Sequence, residues 1–261
     1  FMTFEVSKTG LTSRRAAWDV LKAVAKGCYA DVALDRVLQK YPLSSIDRSL
    51  VMEIAYGTIR RRYSLDCWID SFGKLPASKQ PTELRWLLHL GLYQLLHMKK
   101  IPPAAAVSTT VELAKLSNYS RLAPVVNGLL RSVLRALTTG DQIPIPPSSA
   151  EKLAQLHSFP LWLAKDLISW KGEQHAFNIA KASNNVPHCD LRVNRLRTNR
   201  KQLKSLFDLA GIKSNFIDGC PDGLQVKFGR GDLQAWPGYK EGYWCVQDRS
   251  AQRVAPLLGV N

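Results

Sequence analysis

The chain has 261 residues, more than one core of ordinary domain size needs, so two units joined by a linker are expected. Apolar residues supply 46% of it and mean hydropathy is −0.14, a balance that allows substantial cores and excludes disordered and membrane classes. The formal net charge of +15 favours a polyanionic partner, nucleic acid ahead of membrane headgroups, over a surface that is basic only for solubility. The longest apolar run, Leu84 to Met98, contains His89, Gln94 and His97 and falls short of the roughly twenty residues of a bilayer span, so it reads as a buried helix. No charged-then-apolar leader opens the chain, which predicts a cytoplasmic location and no membrane partner. Cys28, Cys67, Cys189, Cys220 and Cys245 are widely spread without a Cys-x-x-Cys pair, and His188 beside Cys189 is poorly placed to share a tetrahedral ion. They read as reduced thiols, and no metal site is expected.

In chain order, the first half is a succession of helical patterns with recognisable stops. Thr12 or Ser13 can cap a helix with Ala16, Ala17, Val20, Leu21 and Val24 inward and Gly27 at its end. A second helix covers about Asp31 to Tyr41 and is closed by Pro42. A third begins near Ser45 or Asp47 and runs through Leu50, Val51 and Ile54 to Arg60, Arg61 and Arg62, cations that suit the negative end of a helix. Leu65, Trp68, Ile69 and Phe72 recur at helical spacing before Gly73 and give a short fourth. Pro81 to Met98 is apolar nearly all round, the pattern of a central helix surrounded by others. Pro103 can open the next, through Val107, Val111 and Ala114, and a last helix carries Val125, Val126, Leu129, Leu130, Val133, Leu134 and Leu137. About seven helices with short connections predict an all-α bundle over 1–139.

The Pro-rich stretch 140–149 forbids helix and is expected to be the linker. Beyond it the texture changes to α/β. Helices are expected at Ala150 to Trp170 and Glu173 to Ser183, then a strand at Leu191 to Leu196 and a helix capped by Thr198 or Asn199. Strands at Ile212 to Ile217 and Leu224 to Phe228 flank a turn-rich segment, completing a small α/β unit over 150–240 in which Arg230-Gly231-Asp232 is a turn. Tyr243 to Val246 reads as a strand and Ser250 to Leu258 as a helix with nothing after them to cover either. Residues 241–261 are therefore expected to open a further domain.

Specific strings now carry a resemblance. Leu90-Gly91-Leu92-Tyr93-Gln94-Leu95-Leu96, Ile101-Pro102-Pro103-Ala104-Ala105, Thr110-Val111-Glu112 and Asn127-Gly128-Leu129-Leu130-Arg131 resemble, in order and spacing, the NusB-like domain of bacterial ribosomal RNA cytosine-C5 methyltransferases, the RsmB (Sun/Fmu) family. Asp47-Arg48, Glu53 and Gly57-Thr58-Ile59-Arg60 match the same domain. Leu191-Arg192-Val193-Asn194, Pro237-Gly238-Tyr239-Lys240-Glu241-Gly242-Tyr243 and Val246-Gln247-Asp248-Arg249-Ser250-Ala251-Gln252 resemble the segment before that family's methyltransferase core, so the likeness spans nearly the whole chain.

The resemblance implies a three-part enzyme: an all-α NusB-like RNA-binding bundle, a small RRM-like or ferredoxin-like α/β linking unit, and a Rossmann-like domain that binds S-adenosylmethionine (SAM). The family's Asp-x-Cys-Ala-Ala-Pro-Gly-Gly-Lys-Thr string and its Pro-Cys and Thr-Cys-Ser cysteines have no match before Asn261. No catalytic residue carries over, and this chain alone is expected to bind no SAM and to be inactive. The implied reaction needs such a cysteine, because cytosine C5 is a poor nucleophile until a thiolate adds at C6. Cys220 and Cys245 lack that context and read as packed or incidental thiols. Small-subunit ribosomal RNA is the implied partner, and a protein partner of the bundle stays open. The alternative is a stand-alone NusB-like antitermination regulator, against which the second unit speaks.

Candidate RNA contacts follow from charge. Arg192, Arg195, Arg197, Arg200, Lys201 and Lys204 lie on a strand and the start of the next helix, where cations can track phosphates, and Asn194 can hydrogen-bond RNA unless it closes a turn. Arg14 and Arg15 oppose the dipole at a helix start, which an anionic partner would explain. Arg60, Arg61 and Arg62, with Arg131 and Arg135, are further candidates. Trp68, Trp86 and Tyr93 stand at core-facing spacing, whereas Trp236 and Tyr239, in a loop flanked by Gly231 and Gly238, are freer to meet RNA or the further domain. Gln247, Asp248, Ser250 and Gln252 are expected to form an interdomain joint near the active site, with Asp248 otherwise capping the following helix.

Overall fold

The computed structural model describes residues 8–185, 188–226 and 233–259, and the chain divides into two units, residues 1–184 and 185–261. The first unit contains the expected bundle: α1 (Lys8–Ala25), α2 (Ala30–Lys40), α3 (Ser45–Arg60), α4 (Arg62–Phe72), α5 (Thr82–His97), α6 (Pro103–Lys115) and α7 (Ala123–Thr139). Every residue from Trp86 to Gln94 is buried, and α5 touches α1, α3, α4, α6 and α7, as a helix without a polar face must. Close approach to this hub depends on two glycines. A Cβ on Gly91 would stand 2.9 Å from Leu130 Cδ1 and 3.0 Å from Thr110 Cγ2, and one on Gly57 of α3 would stand 2.0 Å from Tyr93 Cζ.

α1 starts ahead of the expected cap at Thr12 or Ser13. Ser13 is buried within the helix, and its hydroxyl donates to Asp47 Oδ1 at 2.7 Å, tying α1 to the start of α3. Ser44 caps α3, accepting from Asp47 N at 3.1 Å and donating to Asp47 Oδ2 at 2.7 Å. These hydroxyls of Ser44 and Ser13 hold the Asp47 carboxyl below its ordinary range.

The single helix expected over Ala150 to Trp170 is two, α8 (Ser149–His157) and α9 (Leu161–Lys171), because Phe159-Pro160 interrupts the helical backbone. By compactness α8, α9 and α10 (Glu173–Ser183) group with the first unit, and α8 packs on α4. Ser158, the one non-glycine residue with positive φ among those described (+60°), accepts from Tyr63 N at 2.9 Å and Ser64 N at 3.3 Å. It thereby caps α4, whose own N-cap residue, Arg61, supplies no side-chain acceptor. The Ser64 hydroxyl in turn donates to Gln155 O.

In the second unit β1 (Cys189–Val193), β2 (Ser214–Phe216), β3 (Gly223–Val226) and β4 (Trp244–Val246) form an antiparallel sheet in the order β2-β3-β1-β4. α11 (Arg200–Leu209), capped by Asn199, covers one face with Leu203 and Phe207 against Cys189, Leu191, Val193, Leu224, Val226 and Trp244. This β1-α11-β2-β3-β4 arrangement is ferredoxin-like. β1 stops at Val193 rather than Leu196, because Asn194 takes the backbone into a turn. The expected C-terminal helix is a short α12 (Arg249–Gln252) and a 3-10 turn at Ala255–Leu258, split where Pro256 removes an amide donor. The end of the strand expected to reach Phe228, and the Arg230-Gly231-Asp232 turn, lie outside the described residues.

Candidate nucleic-acid interface

Most of the cations singled out in the second unit gather at the β1–α11 connection. Alternation along β1 sends Leu191 and Val193 into the core and leaves Arg192 exposed between them, paired across the sheet with the exposed Cys245 of β4. Arg195, Arg197 and Lys201 are also exposed. Arg195 Nε donates to Asp222 Oδ1 at 2.5 Å, and Arg197 Nη1 donates to Glu241 O at 2.6 Å, so both guanidinium groups are held in place. Arg200 is half-buried, donates to Cys220 O at 3.1 Å and lies 4.3 Å from the Phe216 ring centroid, which gives it a packing role.

Asn194 works on the protein itself. Its Nδ2 donates to Gly242 O at 3.0 Å and its Oδ1 accepts from Leu196 N at 3.1 Å, so it closes the turn. Around it lies a cleft of about 440 Å³, lined by Arg192, Arg195, Leu196, Asp222, Trp244 and Cys245 among others. Leu196, Asp222 and Cys245 were not expected there. A leucine 95% exposed on a turn carries no periodic signal, and Asp222 reaches the cleft only through the folding of a distant loop.

The bundle's cations divide. Arg14 is a correction: it is only 6% exposed, its Nε donates to Gln94 Oε1 at 2.6 Å and its Nη1 to Gly10 O at 2.8 Å, and burial weakens its hold on the proton. A guanidinium held inside the bundle is not presented to phosphate, whereas Arg15 is exposed. Arg60 and Arg62 are exposed at the α3–α4 junction, with Arg62 5.9 Å from the Trp86 ring centroid. Arg61 is half-buried there and its pKa is lowered by burial. Arg131 and Arg135 are exposed on α7.

Of the loop aromatics, Trp236 is half-buried and Tyr239 stays exposed. Trp236 packs in the second core with its ring centroid 6.0 Å from those of Phe207 and Trp244, and Tyr239 stands 5.5 Å from Trp244. The Gln247 to Gln252 segment folds onto β1. Arg249 Nε and Nη2 grip the buried Asp190 at 2.6 and 2.9 Å, and Gln252 Nε2 donates to Gln247 O at 2.9 Å and Leu191 O at 3.3 Å. Asp248 accepts from Ser250 N at 2.7 Å, which caps α12 and holds its carboxyl below the ordinary range. The Oε1 atoms of Gln247 and Gln252 are buried without a partner among the described residues.

One titratable cluster gave no signal beforehand. In the bundle, His89 Nε2 and Arg85 Nε lie 2.8 and 2.7 Å from Asp66 Oδ1, joining α4 to α5. Burial raises Asp66, but the hydrogen bonds from His89 and Arg85 outweigh it and hold the carboxyl below its usual range. His89 is fully buried, and that burial lowers its pKa in spite of Asp66. Among the described residues no group of three His, Cys, Asp or Glu side chains could hold a metal ion, and no helix is long and apolar enough to cross a membrane.

Comparison with known proteins divides the chain earlier than compactness does, because the second match takes in α9 and α10. Residues 11–135 match the NusB family, and residues 159–230 match the Methyltr_RsmF/B-like, ferredoxin-like domain. The chain is 38% identical to a Synechocystis protein named "Probable ribosomal RNA small subunit methyltransferase B" over 95% of its own length and 55% of that protein. It is 31% identical to a Bacillus subtilis protein of the same name, covering 92% of this chain and 52% of the relative. Against an Escherichia coli ribosomal RNA small subunit methyltransferase B it is 34% identical, covering 91% and 53%. Among solved structures, the crystal structure of PH0851 superposes with a TM-score of 0.65 at 15% identity, over 92% of this chain and 53% of that one, a likeness of fold. The chain thus spans about half the length of the curated relatives it matches. With a NusB-family match followed by a match to the RsmF/B ferredoxin-like domain, it is similar, over the part it covers, to proteins named ribosomal RNA small subunit methyltransferase B.

Proposed function

We infer that this chain is the RNA-binding portion of a cytoplasmic, SAM-dependent methyltransferase that acts on cytosine C5 of small-subunit ribosomal RNA, and that it positions the RNA for a catalytic domain in the remaining half. The observation that carries the reading is the gathering of exposed Arg192, Arg195, Arg197 and Lys201 at the β1–α11 connection, the first two lining a cleft, in a part of the chain that matches the RsmF/B ferredoxin-like domain. Exposed cations on a rigid connection supply the sequence-independent phosphate contacts that fix register, leaving chemistry to another domain.

The described residues do not fit SAM. Their sheet is antiparallel throughout, so it has no parallel-strand crevice facing a glycine-rich turn and helix N-terminus. The cleft is lined by Arg192 and Arg195, which repel a sulfonium. No step of methyl transfer is assigned to this chain, and alone it is inactive. A stand-alone antitermination regulator is the weaker reading, because the match to the RsmF/B ferredoxin-like domain lies outside the bundle.

The test is fluorescence anisotropy with small-subunit ribosomal RNA segments at several salt concentrations, beside calorimetric titration with SAM. Binding that weakens steeply with salt, and no heat from SAM, are expected. Salt-insensitive or absent RNA binding would defeat the RNA-positioning reading, and saturable SAM binding would defeat the division of labour.

A further inference from the structure

We propose that the cleft at the end of β1 receives a single unpaired nucleotide, its base laid on Leu196 and its phosphate gripped by Arg192 and Arg195. This rests on the RNA-binding reading and adds where, and in what form, the RNA is held. At about 440 Å³ the cleft has the size of about one nucleotide.

Its two halves differ in chemistry. Arg192 is exposed and has no hydrogen-bond partner among the described residues. Arg195 is anchored through Nε on Asp222, and its two Nη nitrogens have no partner among the described residues. A guanidinium fixed at one edge with its fork open is suited to phosphate. The apolar half is Leu196. Beyond the Asn194 side-chain bonds, Arg197 N and Thr198 N both donate to Asn194 O at 3.0 Å, and Asn194 N donates to Tyr243 O at 2.8 Å. The turn is locked, and it presents Leu196 95% exposed.

A lone exposed leucine is ordinary on a protein surface. One held on a rigid turn between Arg195 and Arg197, on the wall of a nucleotide-sized cleft, matches the apolar wedges that proteins set against bases. Covering it with a base removes apolar surface of both from water. The unpaired state follows from geometry, since a base stacked within a duplex shows only its edges and cannot lay its face on a side chain.

The experiment uses the whole chain and two probes: a labelled single strand of about twelve nucleotides and the same strand annealed to its complement. Affinity is measured for the wild type, Leu196→Ala, Arg192→Ala and Arg36→Ala, the last an exposed cation on α2. Alkylation of Cys245 by iodoacetamide, followed by mass spectrometry, reports occupancy of the cleft directly. Leu196→Ala is expected to weaken single-strand binding about fivefold, leaving duplex binding and the salt slope unchanged. Arg192→Ala should weaken binding and flatten the salt slope by about one. Arg36→Ala should match the wild type, and the single strand should slow Cys245 alkylation severalfold where the duplex does not. The proposal is overturned if the wild type binds RNA with salt-dependent affinity while both cleft variants bind the single strand equally well, or while Cys245 stays unprotected. In that event the RNA-binding reading stands. A wild-type chain that binds neither probe removes that reading, and the cleft assignment with it. Leu196 makes no core contact, so its variant should keep the wild-type circular dichroism and melting curve.

Discussion

Gly57→Ala is the sharpest test of how the bundle is packed, because local and tertiary physics disagree on its sign. Gly57 lies within α3, where replacing glycine by alanine should stabilise an isolated helix by about 1 kcal/mol. In the bundle a Cβ there would stand 2.0 Å from Tyr93 Cζ and 2.1 Å from Tyr93 Oη. Tyr93 is 6% exposed, and its hydroxyl donates to Glu53 Oε1 at 2.7 Å, so the ring has little freedom to move. Overpacking costs about 1 to 3 kcal/mol. Losing the hydrogen bond to an exposed carboxylate adds about 1 kcal/mol. After the gain in helix propensity, the net expectation is destabilisation by about 2 kcal/mol. Urea unfolding followed by far-UV circular dichroism, which the first unit's helices dominate, measures it. Tyr93→Leu removes the blocking atoms, so the double variant should be more stable than the two single effects summed, by about 1 kcal/mol. A neutral or stabilising Gly57→Ala, as propensity alone demands, would refute the packing argument.

Three further outcomes follow from contacts elsewhere. Ser158→Ala removes the cap that α8 supplies to α4 and should cost about 1 kcal/mol, with faster hydrogen exchange at the Tyr63 and Ser64 amides; unchanged exchange there would discount the cap. Arg249→Ala leaves the buried Asp190 without its bidentate partner; because Arg249 is itself 35% exposed, the cost is about 2 kcal/mol, with Lys rescuing only part, read by exchange along β1. Burial lowers the folded-state pKa of His89, so its contribution is present above the ordinary imidazole range and is lost as pH falls through about 6.5. Asp66, also lowered, loses its share only below the ordinary carboxylate range; unfolding midpoints that stay flat from neutral pH to about 5.5 would contradict the His89 assignment.

Much of the fold was legible because it is written in periodicity. α5 declared itself the hub by lacking a polar face, and Asn199 announced α11 as a residue whose side chain accepts from Gln202 N. The Arg192 exposure follows from alternation along β1. Arg14 was misread because charge was weighed ahead of position. It stands three residues before Ala17 and seven before Leu21, on the face that faces inward, and its complement Gln94 lies eighty residues away. Asp190 with Arg249, and Asp66 with His89, are likewise partners that only the folded chain brings together. The Pro-rich stretch reads as a boundary because it cannot be helical, and beyond it Gln155 Nε2 donates to Pro144 O while α8 docks on α4.

The net charge of +15 therefore overstates what a polyanion can meet. Arg14 is consumed by the bundle interior, Arg200 by a carbonyl and an aromatic ring, and Arg249 by a buried carboxylate. At the β1–α11 connection, Arg192 and Lys201 remain exposed, Arg197 is exposed but held on Glu241 O, and Arg195 is presented only in part because Asp222 offsets its charge. Each phosphate neutralised on a single strand contributes about 0.7 to the dependence of log affinity on log salt, so these cations alone predict a slope between about −2 and −3. A measured slope in that window would place the second unit's cleft at the centre of single-strand binding. A slope near twice as steep would require Arg60, Arg62 and the α7 cations of the bundle to engage the same RNA, and Arg60→Ala with Arg62→Ala would then bring it back toward the lower value.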